Sequence, residues 1–294
     1  MMLPPMDHVA TVPDLPESRL YTFIDGPREH ALYFLEGQRL IHDVIMTHGI
    51  QGLGLAFFRD VILSIQPMIA LLGGGEQLGF YIDSESPYFR LKIETTHDGD
   101  ARCTLVPEDL AEFPDSMRGV VRVDRRSVAG ARPYQSMLAI DGLALNEVVN
   151  RVLRDSWQVP CRVLVSQASD QSVLLHQLPP LRRDDQSRFS PEALDARLDG
   201  LHEGIDLALG RAALDPGVIE SAFASLGFRL IASRGVRLRC ACSAAKVIES
   251  LRLVGDPGEL FARNQDRLEV ICEYCKRRFL ISRNDLAAPP EIVH

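Results

Sequence analysis

Four cysteines near one end of the chain constrain its folding more than any other feature. They stand as Cys-Ala-Cys at 240–242 and, 29 residues later, Cys-Glu-Tyr-Cys at 272–275. Cysteines two or three positions apart can turn both sulfurs toward one ion, and two such pairs give the tetrahedral all-thiolate set of a structural zinc site. Soft thiolates select zinc over magnesium or calcium, and a full set of four leaves no open position for hydrolytic chemistry. The expectation is one zinc per chain, held by Cys240, Cys242, Cys272 and Cys275. Four buried cysteines without metal are the plain alternative. An iron–sulfur cluster fits less well, because the usual closely spaced triplet is absent. A module of about fifty residues has too small a core to stand alone. Structural zinc contributes on the order of 10–16 kcal/mol in finger peptides, so losing it should unfold such a module. A thiolate oxidised to sulfenic acid or disulfide stops being a good ligand, and a disulfide across Cys-x-Cys closes a small, strained, reducible ring. The site can therefore act as a reversible switch.

The charge is divided in the same way. The 294 residues carry a net charge of −8, yet the segment from Val236 to Asp285 has ten Lys/Arg against seven Asp/Glu. A mildly basic metal module on an acidic body disfavours nucleic acid and anionic membrane as partners, since both reward a positive surface. Arg239, Lys276, Arg277 and Arg278 stand where they would offset the charge of a four-thiolate zinc centre. The start of the chain has no basic, apolar signal segment, and Gly52–Leu72 is interrupted by Arg59, Asp60, Gln66 and Pro67. A cytoplasmic protein with reduced thiols is the expectation.

The fold expected is α+β: an N-terminal α/β body, a helical linker and the small C-terminal zinc-binding module. Residues 1–20, rich in proline, read as a flexible arm, and the body runs over 21–178. Leu40, Ile41, Val44, Ile45 and His48 share a helix face, and a second, more buried helix runs on to Leu72, before Gly73–Gly75. Phe89, Leu91 and Ile93 alternate with charged residues as in a strand, and the turn at 97–100 leads to another at 102–106. A strand at 134–140, a helix carrying Leu145, Val148, Val149, Val152 and Leu153, and a hairpin of 161–166 with 173–178 complete the body. Pro179-Pro180 opens a linker over 179–236, with helix starts at Ser190-Pro191 and Asp215-Pro216 and narrow apolar stripes that need a neighbour. The zinc module spans 237–286 and a tail 287–294.

At the cysteines the sequence resembles the heat shock protein 33 family, redox-regulated bacterial chaperones also called 33 kDa chaperonins. The resemblance rests on RCACS at 239–243 and EVICEYCKRRFLIS at 269–282. It extends more weakly to the stretch from Tyr134 to Val165. The body departs from the family pattern at 101–110, where ARCTLVPEDL stands in place of a Val-Arg-Gly-Tyr-like stretch; the nearest counterpart is Met117-Arg118-Gly119-Val120. The resemblance implies an ATP-independent holdase with no enzymatic activity, inactive while reduced and zinc-bound. Oxidants such as hypochlorous acid, or peroxide with heat, would then join Cys240 to Cys242 and Cys272 to Cys275. Zinc would leave, the linker would unfold, and the protein would bind unfolding client proteins, with a homodimer as the oxidised form.

Other signals are weaker. Cys103 and Cys161 fall outside the family pattern and read as small buried hydrophobes. No histidine pair has metal spacing, His42 and His48 read as structural, and neither a dinucleotide fingerprint, a P-loop nor a Gly-x-Ser-x-Gly elbow occurs. A zinc-ribbon nucleic-acid-binding or regulatory protein is the competing class. Against it, the spacer between the cysteine pairs lacks interleaved basic and aromatic residues. A thiol oxidoreductase using Cys272 and Cys275 would need a thioredoxin-like βαβ setting, which the sequence does not suggest.

Overall fold

A computed structural model of the chain describes residues 15–127, 133–180, 190–254, 260–261 and 265–287. Its first element pair is a hairpin that the sequence reading did not assign, β1 (Arg19–Asp25) and β2 (His30–Glu36). All seven residues of β2 are buried, so the alternation by which strands are recognised is missing. The reason is that β2 lies between two cores: Ala31, Tyr33 and Leu35 enter one cluster, Leu32 and Phe34 another. Residues 15–20, expected in the arm, are partly built in: buried Ser18 accepts a hydrogen bond from the Leu40 amide. Residues 1–14 of that arm lie outside the described residues.

Two helices follow, α1 (Gln38–His48) and α2 (Gly52–Ile65). Pro67 turns the end of the expected second helix into a 3-10 segment, Gln66–Leu71. The stretch Gly52–Leu71 is long and apolar enough to cross a membrane by length and composition, but two thirds of it is buried inside the molecule. Then come β3 (Glu76–Ser86), β4 (Tyr88–Thr96), β5 (Asp100–Val106), β6 (Met117–Ser127) and β7 (Tyr134–Leu143). The body closes with α3 (Leu145–Arg151), β8 (Cys161–Val165) and β9 (Gln171–Gln177). The main core joins the inward residues of these strands, such as Phe80, Leu91 and Val123, to Phe57, Ile62 and Val149 of the helices. Cys103 and Cys161 are buried in it, as expected.

The segment expected as a helical linker contains α4 (Pro191–Gly210) and α5 (Pro216–Ala224), capped by the side chains of Ser190 and Asp215. Their neighbour is the second face of the β1–β2–β9 sheet. Leu194, Leu201, Ile205, Ile219 and Phe223 pack there on Phe23, Phe34 and Val173, and the Phe223 ring lies 4.8 Å from Phe23 and 5.1 Å from Phe34. One correction applies: the segment is not helical to its end. Its last residues form a strand, β10 (Phe228–Gly235), antiparallel to β1. The isolated helix start signals upstream gave no warning of a strand whose pairing partner lies some two hundred residues earlier.

Two large sheets result among the described residues, one ordered β10-β1-β2-β9-β8 and one ordered β11-β5-β4-β3-β6-β7, where β11 is the pair Arg237–Leu238. The chain thus leaves one sheet at Gly235 and enters the other at Arg237. Two contacts fix this passage: the Val236 amide donates to the Ser18 carbonyl at 2.7 Å, and the Arg237 amide to the Gly99 carbonyl at 3.0 Å. Gly99 has φ +90°, and a Cβ there would stand 2.1 Å from the Gly235 carbonyl oxygen, so only glycine permits the approach. Beyond β11 lie α6 (Ala244–Val254), the hairpin β12 (Arg267–Ile271) with β13 (Arg278–Ser282), and α7 (Arg283–Ala287). Their core is small, with Phe261, Ile281 and Leu286 as its buried members.

Candidate metal centre

The four cysteines arrive from two directions. Cys240 and Cys242 follow directly on β11, which lies parallel to β5; the Arg239 amide donates to the Ala101 carbonyl at 2.7 Å. Arg237 and Arg239 both reach Asp100, at 2.7 and 3.2 Å. Cys272 and Cys275 sit at the turn of the β12–β13 hairpin, where Ile271 pairs with Arg278. The Cys272 amide donates to the Arg277 carbonyl and the Lys276 amide to the Cys272 carbonyl, both at 2.9 Å. This tight turn puts Lys276 at φ 56°, in the left-handed region.

All four sulfurs lie within 4.8 Å of one another. Cys240 is 3.8 Å from Cys272 and Cys242 is 3.3 Å from Cys275. A tetrahedron of zinc–sulfur bonds of about 2.3 Å has edges of about 3.8 Å, so the donor set and its dimensions fit zinc. Burial pushes the Cys240 and Cys242 thiols up. Burial acts on Cys272 in the same sense, but the amides of Cys275 and Tyr274 donate to it and hold it below the ordinary thiol value. Cys103 and Cys161 take no part; both are buried, and burial raises their thiols well above the ordinary value.

Three cations expected to offset the thiolates are engaged elsewhere. Arg239 is held by Asp100, Lys276 lies 2.5 Å from Glu108, and Arg278 is 3.3 Å from Glu269. The first two bind the body. So does Tyr274, one of the two residues between Cys272 and Cys275: its hydroxyl donates to Glu94 at 3.3 Å, and the Arg102 guanidinium lies over its ring, 4.4 Å from the centre. Arg102 also donates to Glu94 from Nε at 2.6 Å, and Tyr81 does so at 2.8 Å. Burial alone would raise the Glu94 carboxyl; these donors hold it below its usual range. Glu273 meets Lys92 at 3.0 Å. No sequence signal marks Glu94 of β4, Arg102 of β5 or Glu108 beyond it, since their partners in the module lie over 160 residues away.

The Hsp33 protein family model matches residues 18–282. The chain belongs to the Hsp33 family. Among its relatives in that family, the 33 kDa chaperonin of Pelobacter propionicus is 23% identical over 244 residues, covering 76% of this chain and 78% of that one. The 33 kDa chaperonin of Deinococcus radiodurans is 21% identical, covering 87% and 92%. The crystal structure of the Thermotoga maritima 33 kDa chaperonin, an Hsp33 homologue, superposes with a TM-score of 0.70 at 15% identity, over 92% of this chain and 97% of that one. The α+β fold is thus the Hsp33 fold, and the cysteine cluster lies at the C-terminal end of the described residues.

Proposed function

We propose that this Hsp33-family chain is a cytoplasmic, redox-regulated, ATP-independent holdase that binds unfolding proteins when oxidised and has no enzymatic activity. The observation that carries the reading is the convergence of four thiols on one point, in a family whose curated members are named 33 kDa chaperonins. Zinc, when bound, ties the two cysteine pairs together. Residues 21–178, together with the built-in stretch 15–20, are then the client-binding body, 179–236 the metastable linker and 237–286 the redox module.

Each disulfide forms as two thiols lose two protons and two electrons to an oxidant, peroxide or hypochlorous acid, which is reduced to water or to chloride and water. Four thiols therefore consume two oxidant equivalents and leave no ligand set. The pairs proposed are Cys240–Cys242 and Cys272–Cys275, following the family resemblance. With three buried apolar residues among its described residues, the module has a small core and then unfolds, and the anchoring of β11 goes with it. The linker helices bury one stripe each, so they are the next to loosen. Their departure exposes Phe23, Phe34 and Val173, an apolar face suited to unfolded chains, and the oxidised form is expected to dimerise. Commitment of Arg237, Arg239 and Lys276 to body carboxylates speaks against a zinc-ribbon polyanion binder.

Light scattering of a thermally unfolding client tests the proposal. The oxidised protein should suppress aggregation, the reduced zinc-loaded protein should not, and thiol reductant with zinc should reverse the effect. Equal suppression by both forms, or by neither, contradicts it.

A further inference from the structure

The module meets the body in two places: β11 pairs with β5 beside Cys240 and Cys242, and the residues within and just after Cys272–Cys275 reach the body through polar contacts. Glu273 meets Lys92, Tyr274 meets Glu94 and Arg102, and Lys276 meets Glu108. Among the described residues, the module's apolar cluster shares no buried residue with the main core, against which Leu238 of β11 packs. With β11 as the tether, what closes the Cys272–Cys275 hairpin on the body is thus a set of partly exposed ion pairs around one aromatic ring, each weak in water and screened by salt. Tyr274 is the exception in that set: its ring is clamped by a guanidinium and its hydroxyl is engaged on a partly buried carboxylate. A contact of this kind is strong enough to close and weak enough to open.

We infer that Tyr274 is a latch that shuts the metal module onto the β4–β5 face through Glu94 and Arg102, and that it opens without loss of metal or oxidation of the cysteines. The latch also keeps the reduced protein from holding clients; this second half rests on the holdase reading above. Loss of metal opens the latch because the turn that presents Tyr274 is the turn that carries Cys272 and Cys275.

The test uses the full zinc-loaded, reduced chain carrying Glu94→Ala together with Arg102→Ala, which removes both partners and strands no charge. Hydroxyl-radical footprinting of Tyr274 reads the latch, and zinc content is measured on the same sample. The expected result is about a tenfold shift toward the undocked form, seen as faster Tyr274 modification, with one zinc retained per chain. Unchanged Tyr274 modification overturns the latch, and so does a rise that occurs only with zinc loss. Should the double variant fail to fold, the wild-type chain in rising salt serves instead: Tyr274 modification should increase between low and about 1 M sodium chloride, and a flat response overturns the latch. Client aggregation then tests the inhibitory role. An opened, zinc-loaded variant that fails to hold clients, while the oxidised wild type holds them, refutes that role. If the oxidised wild type also fails, the holdase reading falls and the docking latch stands.

Discussion

Lys276 follows Cys275 in the left-handed region at φ 56°, a conformation that costs a side-chain-bearing residue about 1 kcal/mol relative to glycine. Its ammonium, 2.5 Å from Glu108, offsets that cost. Lys276→Ala should therefore lose the ion pair and keep the strain, while Lys276→Gly loses the pair and relieves the strain. The glycine variant should be the more stable of the two by about 1 kcal/mol, read from thermal melting of the zinc-loaded chain. A second pair of residues sets the pH response of the body. Burial pushes the Glu36 carboxyl up from 4.5 to about 7. Burial, then neighbouring His30, push the His176 imidazole down from 6.5 to about 4. Between pH 4.5 and 7 the folded chain keeps a proton on Glu36 that the unfolded chain has released, so this group lowers stability as pH rises. Between pH 6.5 and 4 the unfolded chain takes up a proton that folded His176 refuses, so that group lowers stability as pH falls. The two slopes oppose each other over most of this range. Glu36→Gln keeps an acceptor for the Gln38 amide and removes one slope. Its unfolding free energy from urea titration should climb from pH 4.5 to 6.5 more steeply than the wild type's, and exceed it at pH 8 by on the order of 2 kcal/mol. Parallel curves for the two proteins would refute the assignment. Of these residues only the cysteines were legible in the sequence, because their spacing alone encodes a shared ligand; Lys276 was read as a counter-charge to them, and its real partner, Glu108, is visible only in three dimensions.

Among the elements, the short strand β11 does more than its two residues suggest, since it hands the chain from the linker's sheet to the metal site. It depends on Gly99, whose missing side chain lets the Gly235 carbonyl come close. Gly99→Ala should cost about 2 kcal/mol or more, from the positive φ and the contact together, and break the hydrogen bond from Arg237. Because Cys240 stands two residues beyond β11, zinc should be surrendered to a competing chelator more readily than in the wild type. Unchanged zinc retention would show that β11 does not position the site. The helices α1, α3, α4 and α5 were readable from their apolar spacing and caps, and β4 from its alternation. The strands β1, β2 and β10 were not, because β2 is buried on both faces and β10 takes its conformation from a partner distant in sequence.

For the whole molecule, the charge asymmetry met in the sequence has a structural counterpart. Basic residues of the metal module turn to acids of the body at Asp100 and Glu108, so part of the asymmetry goes into contacts inside one chain. On the proposed reading, the cysteine site supports everything C-terminal to β11 and, through β10 and α5, the linker packed on Phe23 and Phe34. In the proposed switch, oxidising four of the six thiols both releases the metal and creates the holding activity. The decisive measurement follows three quantities in one sample titrated with oxidant: zinc released, thiols lost, and client aggregation suppressed. The prediction is one zinc and four thiols per chain, with Cys103 and Cys161 unreacted in the core, and suppression rising in step with zinc release. Complete zinc release without any suppression of aggregation, or full suppression with zinc still bound and all thiols intact, would contradict it.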